Sequence, residues 1–312
     1  MDKELNTDVK EVIILGAGPA GLAAALYAAR ADLKPLVFTG TQIGGQAAIT
    51  HTIENYPGFP DGVGGSELSD LFQKNAERFG AELVYDQATA VDLSKRPFSV
   101  ETYGTIYQAK TLILATGASP NELGIPGEQE FRGRGVSYCG TCDGWFFKDK
   151  KVVVVGGGDS ALEEGLFLTR YASSVTIIHR RDELRAGAIL QKRAFDHPKI
   201  SFVWNSTVKE IKGKDGVEAV LIENVKTGEQ SEIATDGIFI FIGHTPNSEM
   251  FKSQLEMSDE GYVVVDIRMH TSVEGVFAAG EISDPHFRQV ITSAGMGAAA
   301  AIEATRLLEK EE

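Results

Sequence analysis

Two stretches of this sequence are built alike, and together they constrain the chain more than any other feature. In the first, an apolar strand over Glu11 to Leu15 runs into Gly16-Ala17-Gly18-Pro19-Ala20-Gly21. An Ala-rich helix over Leu22 to Arg30 and a strand over Pro35 to Phe38 follow. In the second, Val152 to Val155 runs into Gly156-Gly157-Gly158-Asp159-Ser160-Ala161, then a helix over Leu162 to Arg170 and a strand over Val175 to Ile178. Each is a strand, glycine turn, helix and strand in the order of a dinucleotide-binding unit. The first glycine permits the tight turn, and the second lets backbone approach a pyrophosphate. The third lets helix pack on strand, and Ala161 is a known variant there. The N–H groups of the helix start then face the phosphates. Glycine-rich turns also occur for packing alone, but both of these follow a strand and open a helix. Two such units predict an α/β chain with two Rossmann-like dinucleotide-binding domains.

Further apolar strands end in small residues, where a cofactor can come close. They are Thr111 to Leu114 before Ala115-Thr116-Gly117, Gly237 to Ile242 before Gly243, and Gly275 to Ala279 before Gly280-Glu281. A helix is expected over Gly297 to Leu308. Turns near Ser119-Pro120 and Thr245-Pro246 set the boundaries. Residues 1–119 and 246–312 form a discontinuous domain, and residues 120–245 are a second domain inserted into it.

The ends of the second strands separate the two ligands. Roughly 20 residues past the second turn, an acid would accept the ribose hydroxyls of NAD. His179-Arg180-Arg181 stands there instead, with Arg185 following. Arginines pair with a 2′-phosphate, which favours NADPH. The plainer alternatives are a solvated basic face, or an i,i+4 pair of Arg181 with Arg185 on an exposed helix. The first unit also lacks the acid, ending in Phe38-Thr39-Gly40. That fits FAD held largely by backbone better than NAD, with Gly44-Gly45-Gln46 nearby.

Of 312 residues only Cys139 and Cys142 are cysteines, forming one C-x-x-C. A structural zinc site needs four ligands, and no second pair stands at suitable spacing. The pair is therefore redox-active or incidental, with redox use favoured. Asp143 follows at once. It is read either as an acid or base during thiol exchange, or as an ordinary carboxylate at a helix start. A net charge of −14 argues against nucleic acid and anionic membranes. No apolar run approaches the roughly 18 residues of a membrane span. Met1 to Lys10 is polar and acidic, unlike a signal peptide, so a cytoplasmic protein is expected. His51, His197, His270 and His286 do not cluster and are read as satisfied or exposed residues. Arg132 and Arg134 either dock an acidic partner or form a solvated loop.

In order along the chain stand Gly16-x-Gly18-x-x-Gly21, Cys139-x-x-Cys142-Asp143-Gly144, Gly156-x-Gly158-x-x-Ala161 and His179-Arg180-Arg181-Asp182 with Arg185-Ala186. Gly275 to Gly280, then Arg288-Gln289 with Thr292 to Gly295, complete the set. Over essentially its whole length the chain resembles the low-molecular-weight, bacterial-type thioredoxin reductases. The resemblance implies a homodimer with an FAD domain built from both chain ends and an inserted NADPH domain carrying the cysteines. It implies hydride transfer from NADPH to FAD, opening of the Cys139–Cys142 disulfide, and reduction of thioredoxin. Cys142 then faces the flavin and Cys139 attacks the partner's disulfide, with the NADPH domain rotating about hinges near Ser119 and Thr245.

Position by position, Gly45, Gln46 and Asn55 are expected near the flavin, with Ala115, Thr116 and Gly117. Arg288 and Gln289 are expected there as well. Gly280 is placed beside Glu281, which departs from the family's usual Asp. Gly140 departs from the usual Ala or Val. Pro19, Ala20, Asp159 and Ser160 belong to the two phosphate turns. A same-fold flavoprotein serving another disulfide, oxygen or ferredoxin is the nearest rival, and the arginines weigh against the ferredoxin form. A nucleotide-bound redox sensor without turnover is the rival from another class.

Overall fold

The structure, a computed structural model, describes residues 3–50, 52, 53 and 55–311, so His51 lies outside it. The chain divides into two compact units, Met1–Ser119 with Thr245–Glu312, and Pro120–His244.

The first part of the discontinuous unit runs β1 (Glu4–Leu15), α1 (Pro19–Arg30), β2 (Leu36–Phe38), α2 (Gly45–Ala48), α3 (Gly65–Arg78), β3 (Glu82–Val84), β4 (Ala90–Asp92), β5 (Phe98–Glu101), β6 (Thr105–Leu114) and β7 (Ala118–Pro120). The inserted unit holds β8 (Val136–Ser137), α4 (Gly140–Asp143), β9 (Lys151–Gly156), α5 (Asp159–Leu168), β10 (Ser174–Ile178) and α6 (Ala188–Phe195). It continues with β11 (Ile200–Val203), β12 (Ser206–Gly213), β13 (Val217–Asn224), β14 (Gln230–Ala234) and β15 (Gly237–Phe241). The chain then returns through β16 (His244–Pro246), β17 (Val276–Ala278) and α7 (Val290–Glu311).

In the discontinuous unit β1 is flanked by β2 and β6, both parallel to it, and the sheet runs β3-β2-β1-β6-β5-β4 with β17 also on β6. The ends of β1 (Val12–Leu15) and β6 (Leu112–Leu114) are buried on both faces and read as continuous Val/Ile/Leu runs, as central parallel strands do. One face packs on the alanines of α1 and α7. The other carries Phe38, Phe98, Phe251 and Val263. The inserted unit has a parallel sheet β11-β10-β9-β15-β8. Helices α5 and α6 cover one face, and the antiparallel β12-β13-β14 shares the second core.

Both glycine-turn units form as read, though β2 starts at Leu36 rather than Pro35 and α5 runs from Asp159 to Leu168 rather than from Leu162 to Arg170. Helix α1 begins at Pro19 rather than Leu22, because a proline's fixed φ and missing N–H suit a first helical turn. Strand β1 reaches back to Glu4 by pairing with the start of β6 past an irregularity between Leu5 and Val9. Helix α7 begins at Val290 rather than Gly297. The exposed-helix alternative for Arg181 and Arg185 fails, since residues 181–187 form bends and loop. Among the described residues no helix is long and apolar enough to cross a membrane.

Candidate functional site

The cysteines close a disulfide across α4, with an S–S distance of 2.07 Å and Cα atoms 5.3 Å apart. Cys139 caps this short helix, and its Sγ accepts the Cys142 backbone N–H at 3.2 Å. The same N–H is placed to stabilise a thiolate on Cys139 once the bond opens. Asp143 Oδ2 accepts a hydrogen bond from Ser137 Oγ at 2.6 Å, and Ser137 Oγ in turn accepts from the Cys139 N–H at 3.1 Å. Ser137, buried at the end of β8, thus ties the carboxylate to the first cysteine. Nothing in the sequence singled it out. Gly140 is buried, and a Cβ there would lie 2.3 Å from Glu164 Oε2. The carboxylate of α5 occupies the room that the missing methyl leaves. Following the pair in the chain, Trp145 and Phe146 are large aromatics left exposed, and nothing in the sequence singled them out. Arg132 lies over the Tyr138 ring, 5.0 Å from its centre, and Arg134 donates to the Glu130 carbonyl. The Tyr138 hydroxyl donates to Glu128 Oε1 at 2.8 Å. Burial first, then that carboxylate, hold the phenol well above its usual pKa.

In the same inserted unit Gly158 precedes α5, whose start no side chain caps. A Cβ at Gly158 would meet nothing within 4 Å, which leaves a ligand room over the first-turn N–H groups of Asp159, Ser160 and Ala161. Asp159 Oδ1 accepts the Gly187 N–H at 2.7 Å, and the N–H groups of Arg185 and Ala186 donate to the Gly157 carbonyl. This fold-back carries Arg185 to the glycine turn. Arg180, Arg181 and Arg185 line one cleft together with Asn205 and Lys226. His179 lies elsewhere, buried beneath the turn. Its ring fills the space a Gly157 Cβ would take, and Nε2 lies 3.0 Å from the Glu183 carbonyl. Burial lowers its pKa, so at neutral pH it is a neutral support for the loop.

The discontinuous unit holds the other turn. A Cβ at Gly16 would fall 2.3 Å from the Ala115 carbonyl, whereas at Gly18 it would meet nothing. The cradle is therefore tight underneath and open above. No side chain caps α1 either, leaving the N–H groups of Pro19's successors Ala20 and Gly21 facing that opening. The Gly44 N–H donates to the Ala17 carbonyl, bringing Gly45 and exposed Gln46 to the turn. Ala115 follows β6, and Thr116 and Gly117 are held by Asn247. Its side-chain amide donates to the Thr116 carbonyl at 2.9 Å, and its backbone N–H donates to Gly117 at 2.9 Å. The structure also joins Asn55 to Gln289, Nδ2 to Oε1, at 3.0 Å. Gly280 turns beside Ala20, and the partly buried Glu281 follows it. Burial raises the Glu281 pKa to about 7, against the opposing charge of Arg288 and with the like charge of Asp284. Asp284, itself buried, accepts from the N–H groups of His286, Phe287 and Arg288 and so sets the turn that presents Arg288. Asp284 and Asn247 were not foreseen. The first left a signal, an Asp shortly before a helix; the second left none.

Residues 10–297 match the family described as pyridine nucleotide-disulphide oxidoreductase. A thioredoxin reductase of Streptomyces coelicolor is 52% identical over 305 residues, covering 97% of this chain and 95% of the relative. One of Mycolicibacterium smegmatis is 50% identical, with 97% and 98% covered. Among solved structures, thioredoxin reductase from Streptococcus pyogenes superposes with a TM-score of 0.93 at 44% identity, covering 98% of this chain and 100% of that one.

Proposed function

The chain belongs to the pyridine nucleotide-disulphide oxidoreductase family, among its bacterial-type thioredoxin reductases, and from that premise we propose how its residues divide the work. The chain is an oxidoreductase that passes electrons from a pyridine nucleotide through a flavin and its own disulfide to thioredoxin. The flavin is FAD, held in the discontinuous unit, and the donor is NADPH, held in the inserted one. The open cradle above Gly18, the uncapped start of α1 and the Gly280-Glu281 corner fit a flavin dinucleotide. When bound, FAD supplies a two-electron store between a hydride donor and a disulfide.

Gly16, Gly18, Pro19, Ala20 and Gly21 receive the FAD pyrophosphate. Ala115, Thr116 and Gly117 flank it, and Gly45, Gln46, Asn55, Arg288 and Gln289 lie toward the ring. Glu281 accepts from the ribityl hydroxyls. Gly156, Gly158, Asp159, Ser160 and Ala161 receive the NADPH pyrophosphate, and Arg180, Arg181 and Arg185 the 2′-phosphate, with His179 beneath them. An electron pair delivered to the Cys139–Cys142 bond breaks it into two sulfur anions, one of which takes a proton. Asp143, oriented by Ser137, exchanges that proton. The Cys139 thiolate attacks the thioredoxin disulfide to form a mixed disulfide. Cys142 then attacks the Cys139 sulfur of the mixed disulfide and displaces the thioredoxin thiolate, closing the ring and, once that thiolate is protonated, releasing thioredoxin as a dithiol. Trp145 and Phe146 give thioredoxin an apolar seat beside the pair. Since the nucleotide and the disulfide share one unit, that unit turns about the crossings at Ser119 and Thr245 between half-reactions. The working protein is a cytoplasmic homodimer.

One observation carries this reading: the single C-x-x-C is closed as a disulfide, with a carboxylate tied to its first cysteine. Cys139→Ser and Cys142→Ser are each expected to abolish thioredoxin reduction in a coupled assay while bound flavin is still reduced by NADPH. Full activity in either variant would overturn the dithiol route.

A further inference from the structure

The turn between β13 and β14 carries Lys226 into the arginine cleft. The turn is fixed locally, because Asn224 Oδ1 accepts the N–H groups of Lys226 and Thr227 at 2.9 and 3.1 Å. It is also fixed to the arginine loop. The Val225 N–H donates to the Asn205 carbonyl at 2.6 Å, and the Asn205 N–H to the Arg181 carbonyl at 3.2 Å. From this seat Lys226 Nζ donates to Asp182 Oδ2 at 2.6 Å. Both side chains are about 60% exposed, at 60% and 62%. An ion pair this exposed contributes little to stability, so its consequence lies in the field it sets in the cleft.

That field matters because Asp182 directly follows Arg181, so a carboxylate stands where a phosphate must approach. The cleft is lined by three arginines and Lys226 against Asp182 and Glu183, a formal balance of +2 that drops to +1 without the lysine. A phosphate monoester brings roughly −1.5 to −2 at neutral pH. We propose that Lys226 is a specificity-determining residue for the nucleotide: it neutralises Asp182 and supplies a further cation for the 2′-phosphate, so that the cleft prefers phosphorylated over plain adenosine ribose. A lysine suits this task. Its point charge on a flexible stem can leave the carboxylate for the phosphate without a fixed fork geometry.

The proposal rests on the 2′-phosphate reading of Arg180 and Arg181, and the test separates the two. Binding of 2′,5′-ADP and of ADP to the flavin-bearing protein is measured by titration calorimetry for wild type, Lys226→Gln and the double variant Arg180→Ala/Arg181→Ala. Steady-state KM and kcat are measured with NADPH and NADH. Lys226→Gln is expected to weaken 2′,5′-ADP roughly five- to tenfold, about one charge-assisted hydrogen bond in an exposed site. ADP binding, kcat and the NADH constants stay as in wild type, and the NADPH KM rises by the same factor. Raised salt should narrow the gap between wild type and variant. If Lys226→Gln binds 2′,5′-ADP as wild type does, or loses ADP equally, the role of Lys226 is overturned. The arginine double variant then reports separately: its loss of the preference for 2′,5′-ADP leaves the 2′-phosphate reading intact. An unchanged preference in that variant overturns both.

Discussion

The carboxyl group of Glu281 is held by burial at a pKa of about 7, with the Arg288 guanidinium opposing the shift and Asp284 adding to it. Between the ordinary glutamate value of 4.5 and 7, the folded protein keeps this proton while the unfolded chain has lost it. Proton binding therefore favours the folded state at low pH, and the contribution is lost as pH rises through that window. In flavin-free protein, melting curves from about pH 5 to about pH 8 should show wild type losing stability relative to Glu281→Gln. The loss is expected to be on the order of 3 kcal/mol at most. A pH-independent gap between the two would contradict the buried placement. At this scale the sequence was half legible. Glu281 and Gly140 stood out as departures from the family pattern. What fills the space beside Gly140, the tip of Glu164, depends on the packing of α4 against α5. Ser137 and Asn247 act through contacts to Asp143 and Thr116 that only the folded chain makes.

Helices α1 and α7 meet through small side chains rather than through a Leu-rich seam. A Cβ at Gly297 would stand 2.0 Å from the Ala20 carbonyl, a backbone atom that cannot swing aside, whereas at Gly295 in the same helix it would meet nothing. Gly297→Ala is expected to cost about 1–3 kcal/mol, and a unit of this size loses roughly 2–4 °C of melting temperature per kcal/mol. Gly295→Ala should instead be neutral or stabilising by up to about 1 kcal/mol, since alanine is the better helix former. Equal effects of the two substitutions would show that close approach to α1 does not set the helix position. The same packing explains why α7 is longer than its sequence suggests. Ser293, Gly295 and Gly297 lower helix propensity over its first half, and contact with α1 outweighs them. The loop at 181–187 went the other way. Two arginines four apart suggested a helical turn, but the chain there folds back onto Gly157.

For the molecule as a whole, the two glycine turns were enough to predict two Rossmann-like units, because each turn's chemistry is local. The β12-β13-β14 meander was not legible. Its strands mix charged and apolar residues and bury a face only once they lie against β9 and β15. With it went Lys226, whose partner Asp182 is 44 residues away. The central claim, that nucleotide, flavin, Cys139–Cys142 and thioredoxin form one electron path, is tested most directly by the visible spectrum of the purified protein. Bound oxidised flavin should bleach on addition of NADPH and regain its absorbance when oxidised thioredoxin is added. A flavin that NADPH leaves oxidised, or that stays bleached with thioredoxin disulfide in excess, would contradict it.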